Sequence, residues 1–155
     1  MNKTNVVRLL EVNKIPYDIK TYEVDDSDLS GTSVAQKINV DEESVFKTLV
    51  AEGDKTRFLV LCIPVNTELD LKKAAKISGN KSVELIHAKD LLSVTGYIRG
   101  GCSPIGMKKK FPTYIDETAQ LFNKIYFSAG VRGMQVGVNP NELLRITESI
   151  FVDLT

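Results

Sequence analysis

The 155-residue sequence carries 20 basic and 20 acidic residues, so its formal net charge is zero, and it is 43% hydrophobic and 26% charged. Those values fit one soluble globular domain of common size, and they argue against a domain that grips nucleic acid by bulk charge. No apolar run approaches the ~20 residues of a membrane helix, the start has no secretory pattern, and two cysteines make no disulfide framework. The expectation is a cytoplasmic protein, without contact to a membrane, folded as a single domain over residues 1–155.

In chain order, Val6, Leu9 and Leu10 recur at helical spacing, so residues 3–13 read as an amphipathic helix. Tyr17 to Tyr22 alternates as a strand. After an acidic loop, Thr32 or Ser33 can cap a short helix through Ile38, with Gln36 placed as in a capping box. Val45 to Val50 and Phe58 to Ile63 are apolar strands, and Gly53-Asp54 between them suggests a hairpin. Asp70 caps a helix that Gly79 ends. Ser82 to Leu85 is a short strand and Lys89 to Val94 a weak helix. Strands follow at 113–116, 124–128 and 135–138. Asn139-Pro140, with Glu142 in a capping-box-like position, starts the last helix, and Ile150 to Leu154 is apolar enough to pack back. Short strands and helices in irregular alternation predict an α+β domain: a curved, mixed, mostly antiparallel sheet with peripheral helices.

The stretch from Gly96 to Met107 concentrates unusual chemistry. It holds Gly100-Gly101, where bare backbone can approach a ligand, then Cys102 and the conformationally restricted Ser103-Pro104. Lys47 sits inside an apolar strand, where a lysine must snorkel, pair or lose its proton. It reads either as an edge residue reaching water or as a cation aimed into a pocket; in the second case the Thr48 backbone lies beside that site. Cys102 could act as a nucleophile with His87, the sole histidine, or be a small residue in a tight loop. One histidine leaves no histidine cluster for a metal, and neither a Walker motif nor a dinucleotide fingerprint is present; no cofactor or metal is expected. Gly130-Val131-Arg132-Gly133 forms a second glycine loop that could offer N–H groups and a guanidinium to an anion.

Several stretches taken in order carry a family pattern: Val45-Phe46-Lys47-Thr48-Leu49, Leu69-Asp70-Leu71-Lys72-Lys73-Ala74-Ala75, Thr95-Gly96-Tyr97, Gly100-Gly101-Cys102-Ser103-Pro104-Ile105-Gly106-Met107-Lys108-Lys109, and Ser128-Ala129-Gly130-Val131-Arg132-Gly133. Over essentially its whole length the chain resembles the YbaK/EbsC family of aminoacyl-tRNA deacylases, relatives of the editing domain of bacterial prolyl-tRNA synthetases. The Gly-Gly-x-Ser-Pro-x-Gly-x-Lys-Lys form is similar to the Cys-tRNA(Pro) deacylase branch.

The resemblance implies hydrolysis of cysteine mischarged onto tRNA(Pro), and possibly of Cys-tRNA(Cys), beside prolyl-tRNA synthetase. It implies that Lys47, Gly100 and Gly101 are the catalytic positions, with the lysine near the 3′-terminal adenosine and the glycines lining the ester carbonyl. Tyr22 and Ser128 are the substrate-binding positions it implies, and the residues themselves add Thr48, Ser103, Pro104, Gly130 and Arg132 as substrate-binding candidates. The resemblance also implies that the substrate's own thiol attacks its ester and leaves as a thiolactone, so that no protein nucleophile is needed. Two departures bear on substrate preference: Gln135 stands where some members have an acidic residue, and Leu29-Ser30-Gly31 where they have an aromatic. Cys102 occupies a variable position of the motif. The alternatives are a Cys102–His87 hydrolase, a deacylase for another mischarged tRNA, and a non-catalytic tRNA- or nucleotide-binding module of the same fold.

Overall fold

The computed structural model describes residues 3–155. Helix α1 (Asn5–Val12) starts where the Thr4 hydroxyl accepts the Val7 N–H, and it buries Val6, Val7 and Leu10. Strand β1 (Asp18–Thr21) and helix α2 (Gly31–Lys37) follow. The cap of α2 is Ser30, not Thr32 or Ser33: the Asp28 carboxylate accepts the Ser30 N–H, and the Ser30 hydroxyl accepts the Ser33 N–H. Ser33 is therefore already inside the helix, and no capping box with Gln36 forms.

Strands β2 (Phe46–Gly53) and β3 (Arg57–Pro64) make the anticipated antiparallel hairpin, with Phe46 opposite Pro64 and Gly53 opposite Arg57. Asp70 caps α3 (Leu71–Ser78) by accepting the Lys72 and Lys73 N–H groups, and Gly79 closes it in the left-handed region at φ +77°. Strand β4 (Val83–Leu85), helix α4 (Ala88–Thr95) and strands β5 (Thr113–Asp116), β6 (Ile125–Ser128) and β7 (Met134–Val138) come next. Helix α5 (Pro140–Thr147) is capped by Asn139 alone. The Glu142 carboxylate accepts from Arg145 instead of closing a box. The C-terminal apolar segment becomes strand β8 (Ile150–Val152).

The class is α+β, as the sequence predicts, but the curved sheet divides in two. One sheet has the order β4-β2-β3-β5-β8, with the β3–β5 and β5–β8 pairs parallel; the other is an antiparallel β1-β7-β6 unit. A single bridge between Val45 and Tyr126 joins them. Strand β3 is apolar on both faces because both are covered. Val60 and Cys62 pack toward α1, β6 and β7, while Leu59, Leu61 and Ile63 pack toward α3. Full burial of such a side chain contributes about 1.5–3 kcal/mol. Asp116 is buried in a fixed role: its carboxylate accepts the Leu154 N–H and the Thr118 N–H and hydroxyl, tying the C-terminus to the sheet.

One detail of register creates the site. Strand β4 pairs with β2 only at Ala51 to Gly53. The first half of β2, which carries Lys47 and Thr48, is left with an open edge facing the β1-β7-β6 sheet.

Candidate active site

The open edge of β2 forms one wall of a cavity of ≈ 460 Å³. Its other walls come from the start of α2, the start of α4, the Arg99-Gly100 turn, Ser128 at the end of β6 and Gln135 on β7. Volumes of several hundred Å³ suit a small-molecule-sized group. A wider, shallower groove of ≈ 1010 Å³ lies beyond β4, sharing Leu85 to His87 with the cavity. That groove is lined by four carboxylates, Glu52, Asp54, Glu84 and Asp90, against two cations, Arg57 and Lys109, an excess of negative charge. The cavity has no carboxylate among its lining residues and has Lys47 and Arg99 instead. For an anionic ligand the smaller cavity is therefore the favourable one, because the carboxylates of the larger would repel it.

Lys47 shares its strand face with Val45 and Leu49, and its side chain is half-buried in the cavity wall. Among the described residues no carboxylate pairs with its ammonium. Lys47 thus lies on the open edge of β2 and at the same time lines the cavity. Thr48 behaves as its position demands. The Val45 carbonyl accepts the Val65 N–H on the β3 side, and the Val50 carbonyl accepts the Ile86 N–H on the other. Strand alternation then turns the Thr48 backbone away from β3, to the open edge, while its hydroxyl meets the Cys62 sulfur at 3.9 Å.

The glycine stretch is folded back on itself. The Lys108 N–H donates to the Thr95 carbonyl at 3.0 Å and the Tyr97 hydroxyl to the Ile105 carbonyl at 2.5 Å, closing the loop. Gly100 lines the cavity at φ +84°, and a Cβ there would lie 3.2 Å from Arg132 Nε. Conformation and close approach both call for glycine. The Gly101 N–H is already used: it donates to the Ile98 carbonyl at 2.9 Å, and the residue packs against the 131–132 backbone outside the cavity lining. The N–H groups of Arg99, Gly100 and Cys102 on this wall have no protein acceptor among the described residues.

Of the sequence-derived candidates, Tyr22, Lys47, Thr48, Gly100 and Ser128 line the cavity together. Gly101, Ser103, Pro104, Gly130 and Arg132 do not. Ser103 is fully buried and its hydroxyl accepts the Ile105 N–H, and Pro104 is buried beside it; both shape the loop from behind. The Gly130 N–H donates to the Ser128 hydroxyl and so orients it. Arg132 donates from Nε to the Arg99 carbonyl at 2.8 Å and holds the Arg99-Gly100 turn in place. Sequence reasoning passed over Arg99, although it directly precedes the glycine pair. Leu29-Ser30-Gly31, singled out as bearing on substrate preference, does line the cavity, joined by Thr32; close packing of α2 brings the segment in, since a Cβ on Gly31 would lie 2.3 Å from Val65 Cγ1.

Cys102 and His87 both line the cavity. They do not form an activated pair. Burial pushes the Cys102 thiol up to about 12, with only a hydrogen bond to Thr95 opposing the rise. A thiol of that kind is protonated at neutral pH and is a poor nucleophile. Cys102→Ser is therefore expected to keep activity within about threefold of the parent in a steady-state assay. Activity lost with the serine variant, or covalent trapping of substrate on Cys102, would restore the cysteine-hydrolase reading.

A family model described as the aminoacyl-tRNA editing domain matches residues 30–146, a span that contains β2, the glycine loop and β7. The chain belongs to the aminoacyl-tRNA editing domain family. An Enterococcus faecalis protein, EbsC, provisionally named a Cys-tRNA(Pro)/Cys-tRNA(Cys) deacylase, is 51% identical over 153 residues, covering 99% of this chain and 93% of its own. Among solved structures, a hypothetical protein superposes with a TM-score of 0.88 at 19% identity, over 97% of this chain and 99% of its own. A crystal structure described provisionally as a trans-editing enzyme for prolyl tRNA synthetase gives 0.82 at 22% identity, over 99% of each chain. These last two show the shared fold. The editing-domain family accounts for the fold, and the matched span contains Lys47 and Gly100, which line one cavity.

Proposed function

We propose that the cavity hydrolyses the aminoacyl ester of Cys-tRNA(Pro), and of Cys-tRNA(Cys) where it meets it, by binding the 3′-terminal cysteinyl-adenosine. The observation that carries this reading is a half-buried cavity with two cations, bare backbone N–H groups and no carboxylate or activated nucleophile of its own. It is supported by family membership and by the name of the Enterococcus faecalis relative.

Lys47 and Arg99 would meet the terminal phosphate and ribose, with Tyr22, Thr48 and Ser128 around the ester. The substrate thiol, tethered to the carbonyl it attacks, needs no protein nucleophile and gains effective concentration from the tether. Its sulfur forms a bond to the ester carbon and its proton goes to solvent or to the departing ribose oxygen. Collapse of the tetrahedral intermediate expels tRNA and a cysteine thiolactone. The Gly100 and Cys102 N–H groups face the oxygen that becomes negative in between. A neutral overall charge suits a protein that holds only the acceptor end, with prolyl-tRNA synthetase as the proposed partner supplying further tRNA affinity.

The experiment is deacylation of tRNA(Pro) charged with cysteine, alanine or proline, and of Cys-tRNA(Cys), with and without prolyl-tRNA synthetase. Cysteinyl esters are expected to be cleaved at least about tenfold faster than the alanyl and prolyl esters. Equal cleavage of all of them would point to a general deacylase, and binding without turnover to a non-catalytic module.

A further inference from the structure

Gln135 is only 6% exposed, lines the cavity, and its Oε1 has no hydrogen-bond partner. It is the only buried side-chain polar atom among the described residues left in that state. The register explains its position. Gln135 lies opposite Ser128 on β6 and opposite Lys20 on β1, while Val136 beside it turns into the core with Phe127. Gln135 and Ser128 therefore share the sheet face that meets the cavity. Ser128 Oγ accepts the Gly130 N–H, and neither its hydroxyl nor Lys20 donates to the carboxamide oxygen.

Buried acceptors without donors are rare in folded proteins and cost free energy. One that persists on a cavity wall is complementary to a donor that arrives with a ligand. A cavity with two cations and no carboxylate has few places for a substrate ammonium. A neutral carboxamide oxygen can accept from that ammonium without pairing with Lys47 or Arg99, as a carboxylate at the same position would.

We infer that the carboxamide of Gln135, a residue that lines the cavity beside Ser128, turns its unpaired oxygen to accept a hydrogen bond from the α-ammonium of the esterified amino acid and so orients the aminoacyl group. This rests on the reading of the cavity as an aminoacyl-adenosine site. Gln135 is then a positioning residue: it fixes the rotation of the amino acid about its Cα, and with it the side the thiol attacks from.

The test is binding, by calorimetry, of amide analogues that cannot be hydrolysed: 3′-deoxy-3′-(cysteinylamino)adenosine, its 3-mercaptopropionyl counterpart lacking the amine, and the cysteinyl compound lacking the 2′-hydroxyl. Gln135→Met keeps the volume and removes the acceptor. It is expected to weaken the cysteinyl compound by at least about tenfold, as loss of a buried acceptor's partner bond does, with no change for the compound lacking the amine. An equal change for both compounds, or none, would overturn the inference. So would a loss that disappears only when the 2′-hydroxyl is absent, since that identifies the ribose as the donor. Failure of the parent protein to bind any of the analogues would instead overturn the aminoacyl-adenosine reading itself.

Discussion

Lys47→Ala is expected to lower kcat/KM for Cys-tRNA deacylation by about 10²–10³-fold, the loss typical when one preorganised electrostatic group is removed from an active site. The melting temperature should move by no more than a few degrees. The reason lies in what Lys47 does not do. It has no carboxylate partner among the described residues, so truncation leaves no buried charge unpaired, the usual source of a large stability loss. Its aliphatic stem covers only part of the face it shares with Val45 and Leu49. A cation held half out of water without an internal partner costs stability and is available to a ligand. Lys47→Arg keeps the charge but replaces a point ammonium with a wider planar group, and should restore binding more than turnover. Steady-state kinetics with a thermal melt on both variants check this. Parent-like activity in Lys47→Ala would remove the residue from the site.

Much of the fold is legible in the sequence, wherever the signal is local. Asp70 and Gly79 bracket α3, Asn139-Pro140 starts α5, and Gly53-Asp54 marks the β2–β3 hairpin, because caps and turns are written within a few residues of where they act. The misplaced cap of α2 is a near miss of the same kind, since Ser30, Thr32 and Ser33 have the same chemistry and only the Asp28 turn selects among them. What the sequence does not disclose depends on distant partners. The parallel pairing of β8 with β5, and the division into two sheets hinged at Val45–Tyr126, rest on contacts between segments far apart in the chain.

The site divides along the same line. Lys47 stands out as a charge in an apolar strand, and Gly100 as a glycine in a tight loop. That Gly101 spends its N–H on Ile98, while Gly100 keeps its own free, is decided by the loop's path and not by residue type. Ser103 and Pro104 look like site residues because they sit in the same motif, yet they are buried behind the wall. Arg132 looks like an anion ligand and instead holds the Arg99 carbonyl. Gln135 is marked in the sequence only as a departure that bears on substrate preference; its burial and missing partner come from the structure.

The central claim is that the reacting thiol belongs to the substrate, and it makes the second large prediction. With Cys102 held protonated by burial and, among the described residues, no hydroxyl of the cavity wall hydrogen-bonded to a general base, blocking the substrate's sulfur should stop the reaction even though the ligand still fits. An intramolecular attack carries an effective concentration far above any reached by free water, so its loss is not made up by the remaining oxyanion contacts. The direct measurement is single-turnover deacylation, with enzyme in excess, of tRNA(Pro) bearing cysteine or S-methylcysteine. A fall of at least about 10³-fold to near the uncatalysed rate for the methylated substrate, with binding retained, is the result predicted; cleavage of both esters at comparable rates would contradict the account and place the attacking group on the protein or on water.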